Sequence, residues 1–253
     1  MYKILANTLF LGKEVVYMPT CHSTNDIALE LVSHTDKNEG LIVITDEQKS
    51  GKGQRGNVWI SEKAKNLTFS LLLKPTFLAA SQQFYLNMMV SLAVLETIKP
   101  LVPGRNVHVK WPNDVLIDKK KVCGILIENS LNGMQITSSV IGIGLNVNQE
   151  EIGFPQAAGI IDFTGEELDR TAILEQLVLH VEQFYMRLKA NDFNAIKAKY
   201  LENLYGFKSP VKLYSVEEFF GEILDLDDHG RVIIAKNGET EVFDFKELRF
   251  ILP

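Results

Sequence analysis

Val107-His108-Val109-Lys110-Trp111-Pro112-Asn113-Asp114-Val115-Leu116-Ile117 runs through Asp118-Lys119-Lys120 into Lys121-Val122-Cys123-Gly124-Ile125-Leu126-Ile127. β-Branched and aliphatic residues flank a proline on both sides, break at three lysines, and resume. The stretch reads as a strand, a proline-marked corner, a second strand, a charged turn and a third strand. That reading gathers an amide (Asn113), a carboxylate (Asp114) and two ammonium groups (Lys110, Lys121) at one corner of a sheet, where few structural needs would put them.

Upstream, residues 24–34 carry Ile27, Ala28, Leu31 and Val32 at helical spacing behind the N-cap candidates Ser23 and Thr24. Residues 41–45 read as a short strand, 46–66 as a polar, glycine-rich stretch without period, 67–73 as a strand and 82–98 as an apolar helix. Downstream, Asn132-Gly133 signals a hairpin into a strand over 134–147. Ile173, Leu174, Leu177, Val178, Val181, Phe184, Tyr185 and Leu188 line one face of a long helix, and a second helix spans 193–205. From Gly206 the texture changes to short strands at 211–214, 219–225, 232–235 and 241–245. The expected class is α+β, a mixed β-sheet with packed helices in residues 1–205 and a small β-barrel or meander in 206–253. A unit of roughly 48 residues buries little core by itself and leans on its neighbour.

The chain has 253 residues, 46% of them hydrophobic and 23% charged, which suits one large domain or a medium one with a small one. Its two cysteines, Cys21 and Cys123, form no framework, so a reducing, cytoplasmic setting is expected. The apolar segment 4–11 is interrupted by Asn7 and Thr8 and reads as a core strand rather than a signal peptide. No apolar run approaches the roughly 20 residues of a membrane helix. Net charge is −6, yet Lys49, Lys52, Arg55, Lys63, Lys65 and Lys74 cluster against Glu62 alone, and Arg105, Lys110, Lys119, Lys120 and Lys121 against two aspartates. A basic patch on an acidic protein points to a small anionic ligand and away from nucleic acid.

Gly51, Gly53 and Gly56 fall in the loop Gln48-Lys49-Ser50-Gly51-Lys52-Gly53-Gln54-Arg55-Gly56-Asn57-Val58-Trp59. The G-x-G-x-x-G pattern is not followed by a helical period, as a dinucleotide fold requires, and there is no Walker A match. Glycines let backbone amides approach an anion, Lys52 and Arg55 supply charge, and Gln54 supplies a directional amide. Ordering such a loop costs about 1–2 kcal/mol per residue, so a lid that closes on its ligand is expected. Ser23-Thr24-Asn25 reads either as a helix cap or as a row of donors and acceptors suited to a urea.

Taken together, Ser23-Thr24-Asn25, Gln48 with the glycine loop through Trp59, Lys110-Trp111-Pro112-Asn113-Asp114, Lys121-x-x-Gly124 and Gly142-Ile143-Gly144-Leu145-Asn146-Val147 resemble the biotin protein ligases in order and spacing. The resemblance implies a class II synthetase-like catalytic fold with an SH3-like C-terminal barrel. It implies that Ser23, Thr24 and Asn25 contact the ureido ring, and that Gln48, Gly51, Lys52, Gly53, Gln54 and Gly124 line and close the biotin site. Lys121 falls between the biotin carboxylate and the α-phosphate as the catalytic residue. Lys52, Arg55, Lys110, Asn113, Asp114, Lys121 and Asn146 fall to ATP, with Mg²⁺ as cofactor and no dedicated metal ligands in the protein. The activity implied is formation of biotinyl-5′-AMP from biotin and ATP, then transfer of biotin to a lysine of a biotin carboxyl carrier domain. Lys52 stands where the family more often has arginine, which loses the bidentate fork. Residues 1–20 are too short for the helix-turn-helix unit of some members, so a ligase without DNA binding is expected. A lipoate-type ligase and a non-catalytic biotin sensor are the alternatives, with a dinucleotide oxidoreductase more remote. An edge strand could pair two copies into a homodimer or dock the carrier.

Overall fold

A computed structural model describes residues 7–34 and 39–252, apart from the side chains of His34 and Arg55. The first part of the chain forms β1 (Val15–Met18), α1 (Thr24–His34), β2 (Ile42–Thr45), β3 (Leu67–Leu73) and α2 (Phe84–Ile98). There follow β4 (Val107–Lys110), β5 (Asp114–Ile117), β6 (Lys120–Asn132), β7 (Gln135–Leu145), α3 (Ile161–Thr164), α4 (Arg170–Lys189) and α5 (Phe193–Glu202). These seven strands make one sheet in the order β1-β2-β3-β7-β6-β5-β4. β1 and β2 run parallel and the other neighbours antiparallel, giving the mixed sheet of an α+β protein.

Strand alternation assigns the two faces different tasks. Leu67, Phe69, Leu71 and Leu73 of β3, with Ile141 and Ile143 of β7 and Ile125 of β6, join the main core with α2, α4 and α5. α2 is apolar nearly all round because it lies between the sheet and α4 and α5. The eight apolar positions expected on α4 are all buried, and Glu182 is buried beside them. On the opposite face α1 covers only one end, where Ala28 meets Leu41, Val43, Leu72 and Val140. The rest of that face is left to a cleft.

Strand ends shift by up to two residues, the strands expected at 134–147 and 241–245 running over 135–145 and 239–243, and three larger differences have identifiable partners. The N-terminal segment is no core strand: residues 7–13 are turns and bends, and 4–6 lie outside the described residues. The amides of Leu9, Phe10 and Leu11 go to the Glu182 carboxylate at 2.6, 2.8 and 2.9 Å instead of to a ladder. The apolar helix begins at Phe84 after a separate 3₁₀ turn (Ala80–Gln82), because the Gln82 side chain accepts from Ala79 N and closes that turn locally. The second helix stops at Glu202, where the Asn203 carbonyl accepts from Val109 N and Tyr205 N donates to Val109 O. Residues 203–205 thereby cover the outer edge of β4.

The C-terminal part forms β8 (Pro210–Tyr214), β9 (Glu218–Leu226), β10 (Val232–Lys236), β11 (Glu239–Phe243) and β12 (Arg249–Phe250) in one antiparallel sheet ordered β11-β10-β9-β8-β12, the SH3-like unit. Two-residue β12 carries too little pattern to be read in the sequence. This sheet is fastened to the proline corner: Trp111 Nε1 donates to Gly230 O at 2.8 Å. Phe245 stacks on Trp111 at 5.2 Å and on Phe84 at 5.5 Å between ring centroids. Among the described residues no helix is long and apolar enough to cross a membrane.

Phe245→Ala should empty this stack and lower the unfolding free energy by about 2–3 kcal/mol, below the full cost for a fully buried phenylalanine. A urea denaturation midpoint equal to that of the parent protein would show that the stack contributes nothing.

Candidate functional site

The cleft floor consists of two cross-strand rows on the face α1 leaves open. Register aligns Thr68, Gly144, Gly124, Asp114 and Lys110 on β3, β7, β6, β5 and β4. Two residues along, Ser70, Gly142 and Leu126 form the second row. The rows are about 7 Å apart, the rise of two strand residues. Glycines occupy the middle of both rows because other groups lie flat on the sheet there. A Cβ on Gly142 would strike the Asn25 carboxamide, and one on Gly144 would strike the Trp59 indole.

At one end of the cleft stands the start of α1. Ser23 caps the helix, its Oγ 3.4 Å from Asp26 N. Gln48 Oε1 accepts from Thr24 N at 2.8 Å and lies 3.2 Å from Thr24 Oγ1. Ser70 Oγ is 2.7 Å from Thr24 Oγ1 and 2.6 Å from Asn25 Oδ1, and Asn25 Nδ2 donates to Glu128 Oε2 at 2.7 Å. Ser23, Thr24 and Asn25 are all buried. Capping and a polar wall are therefore the same residues.

At the other end is the charged corner. Lys110 Nζ lies 2.6 Å from one Asp114 oxygen and Lys121 Nζ 2.7 Å from the other. Burial alone would raise the Asp114 carboxyl, but the two ammonium groups outweigh it and hold it below the usual aspartate range. Lys121 reaches this face through a β-bulge. Val115 pairs with Cys123 and Leu116 with Lys121, so Val122 is the extra residue and the alternation beyond it is reversed. Asn113 is tied to β6 by Nδ2 donating to Ile125 O at 2.7 Å.

The glycine loop folds over the floor as a miniature hairpin. Gly53 N donates to Asn57 O and Trp59 N to Gly51 O, around a 3₁₀ turn (Gln54–Gly56). Lys52 Nζ meets Asp26 Oδ1 at 2.5 Å, which pins the loop to α1. The Trp59 indole rests on Gly124 and Gly144 with Lys121 Nζ 5.6 Å from its ring centre, and its buried Nε1 has no hydrogen-bond partner. Lys246, in the turn before β12, and Arg249 of β12 close the rim of this cavity of about 500 Å³.

Of the residues singled out in the sequence, Ser23, Thr24, Asn25, Gln48, Lys52, Gly53, Gln54, Lys110, Asn113, Asp114, Lys121 and Gly124 line this one cavity. Gly51 does not; it is buried against the Trp59 carbonyl and the Gln48 side chain, where a Cβ would not fit. Asn146 also lies outside the lining: its Nδ2 donates to Ala158 O and its buried Oδ1 has no partner. The Arg55 side chain lies outside the described residues. Lys121 is not an exposed turn lysine but the second residue of β6, ion-paired and one-third exposed. Sequence reading passed over Ser70 and Glu128, and it gave Lys246 and Arg249 no place in the cleft. Ser70 and Glu128 share the parity of Thr68 and Gly124, a signal available once the register is known; the other two come from too far along the chain to be placed.

The model of the biotin/lipoate A/B protein ligase family matches residues 17–146. The bifunctional ligase/repressor BirA of Bacillus subtilis is 30% identical over 91% of this chain and 72% of its own length. The biotin–[acetyl-CoA-carboxylase] ligase of Mycobacterium tuberculosis is 30% identical over 87% of this chain and 82% of its own. A solved biotin protein ligase from Aquifex aeolicus, in complex with biotin and ATP, superposes with a TM-score of 0.78 at 26% identity, covering 94% of this chain and all of that one.

Because the Asp114 pKa is depressed on folding, its contribution is full above the unfolded value of about 3.9 and is lost as pH falls through the lower folded value. The parent protein should therefore exceed Asp114→Asn in unfolding free energy near neutral pH, and the difference should shrink only below about pH 4. A difference independent of pH from 7 to 2 would dissociate it from this carboxylate.

Proposed function

The chain belongs to the biotin/lipoate A/B protein ligase family, and on that premise we propose that the cleft carries out both steps of biotin attachment to a carrier protein. The protein is an ATP-dependent biotin–protein ligase. One observation supports the division of labour: a single cleft joins the polar wall of Ser23 and Thr24 to the Lys110–Asp114–Lys121 corner. A bicyclic urea at the wall would point its carboxylate tail along the floor toward the ammonium groups.

In the first step a biotin carboxylate oxygen attacks the α-phosphorus of ATP, the bond from that phosphorus to the bridging oxygen breaks, and pyrophosphate leaves. Two anions must meet for this, and Lys121 would stand between them. Asp114 fixes that ammonium in place, and since it is shared by two lysines the corner keeps a net positive charge. Trp59 Nε1, buried without a partner, is a donor suited to an oxygen of the reacting groups. In the second step a neutral lysine amine of the carrier attacks the acyl carbon, the acyl–phosphate oxygen bond breaks, AMP leaves, and the amine gives up a proton. A closed glycine loop would shield the mixed anhydride from water until then.

Mg²⁺ fits as a companion of the nucleotide. The described residues hold no cluster of three His, Cys, Asp or Glu side chains, and Asp114 is already paired twice. Asn146, expected near ATP, lies outside the cavity with its Oδ1 buried, so a cation in the cleft would be carried chiefly by phosphates and water. Bound there, Mg²⁺ would neutralise phosphate charge. Lys246 and Arg249 lie where a polyphosphate could reach them, which supports a supporting role in ATP binding for the 206–253 unit and a domain boundary after Tyr205. The free cysteines suit a cytoplasmic setting, and an edge strand of the sheet would serve to pair a second copy or to dock the carrier.

Pyrophosphate release that requires biotin and ATP together, followed by transfer of label to a carrier domain, tests the reading; activity with lipoate instead would favour the lipoate-type alternative. Lys121→Ala should fold normally yet lower pyrophosphate release by about a hundredfold to a thousandfold. A folded variant with near-parental rate would remove Lys121 from the chemistry. Amides of residues 49–58 should gain hydrogen-exchange protection when biotin or its adenylate binds, and equal protection in both states would mark a loop that needs no closing.

A further inference from the structure

Beneath the polar wall runs a chain of hydrogen bonds whose direction is decided at one end. Glu128, on the rim of β6, is a carboxylate and can only accept. It faces the Asn25 carboxamide at 2.7 Å, and Leu126 O, also only an acceptor, lies 3.4 Å from the same amide nitrogen. Asn25 must therefore turn its NH₂ toward β6 and its Oδ1 toward Ser70. An amide oxygen cannot donate, so the single Ser70 proton is spent on Asn25 Oδ1. Ser70 Oγ also lies 2.7 Å from Thr24 Oγ1, and of the two acceptors within reach of the Thr24 proton, Ser70 Oγ and the more distant Gln48 Oε1 at 3.2 Å, the first then takes it. What remains on Thr24 is lone pairs. Ser23 Oγ accepts from Asp26 N, which leaves its own proton uncommitted.

We propose that Glu128, acting through Asn25 and Ser70, is a positioning residue that sets the wall to present an acceptor at Thr24 and a donor at Ser23. This rests on the wall being the urea site. A urea offers an N–H donor beside a carbonyl acceptor, so this polarity is the complementary one. Asn25 has both its amide protons directed into the protein, and its task is to relay rather than to bind. Gly142 belongs to the same device, since only a missing side chain lets the Asn25 carboxamide lie on the sheet between Ser70 and Leu126. With Glu128 removed, the amide can turn over and Ser70 can donate to Thr24, which takes up one Thr24 lone pair and releases the Thr24 proton to Gln48 Oε1 or toward the ligand, where an acceptor is needed.

The test uses the full chain and biotin itself. Glu128→Leu keeps the bulk without an acceptor and should weaken biotin binding by about tenfold or more, leaving the KM for ATP, kcat at saturating biotin and the melting temperature nearly unchanged. Glu128→Gln keeps a carbonyl acceptor and should restore binding to within about threefold of the parent. Thr24→Val combined with Glu128→Leu should be no weaker than the worse single variant, because both act on one contact. Should Glu128→Leu not fold, Ser70→Ala interrupts the same chain and takes its place. Parental binding by the leucine variant, equal losses for glutamine and leucine, or additive losses in the pair each overturn the proposal. Equal losses would instead assign Glu128 a charge effect on nearby Lys52. A parent protein that binds no biotin overturns the urea-site reading first and this inference with it.

Discussion

Asp114 lies buried between Lys110 and Lys121, one ammonium on each oxygen, and the arrangement of the cleft follows from keeping that carboxylate satisfied. A lone buried carboxylate would be costly; removing either lysine leaves part of that cost uncompensated. The corner thus demands three things of the chain: β4 and β5 turning back at Trp111-Pro112, a bulge at Val122, and a cover over the back of the corner. Each is present, and each is specified by different residues. The catalytic geometry is in this sense a consequence of charge burial.

The two rows of the cleft floor solve a steric problem that the charges create. Lys121 and the Trp59 indole must approach the sheet closely, and ordinary side chains on β6 and β7 would hold them off. Gly124 and Gly144 face each other across the strands, and Gly142 repeats the device for Asn25 one row along. The Gly-x-Gly of β7 is accordingly a packing requirement of a flat floor, set by the alternation of a strand, and not a phosphate-binding loop.

Most of the sheet and helix order was legible because patterning is local. β3 and α1 were read with their observed ends, as was the burial stripe of α4, since periodicity and caps lie within each segment. Most of the motif residues from Ser23 to Lys121 line one cavity, with Gly51 packed behind it. What escaped was set by distant partners. The segment 4–11 looks like a strand until Glu182, more than 170 positions away, takes the amides of Leu9, Phe10 and Leu11. The helix after Phe193 looks longer until β4 claims Asn203 and Tyr205. The bulge at Val122 has no marker in the sequence, yet it decides which way Lys121 points, and Glu128 gained meaning only when its register opposite α1 was fixed.

The hydrogen bond from Trp111 to Gly230 spans 119 residues of sequence. Contacts of such separation form late, because the intervening chain must exist and be confined before they can be made. During synthesis the lysines, the glycine loop and the polar wall emerge well before residue 230, while the indole at their corner still lacks its acceptor and Phe245 its place in the stack. The nascent chain therefore carries every motif of the site without the support that holds the corner rigid. Completion of the corner is a checkpoint in time, passed only when the C-terminal sheet has left the ribosome and docked.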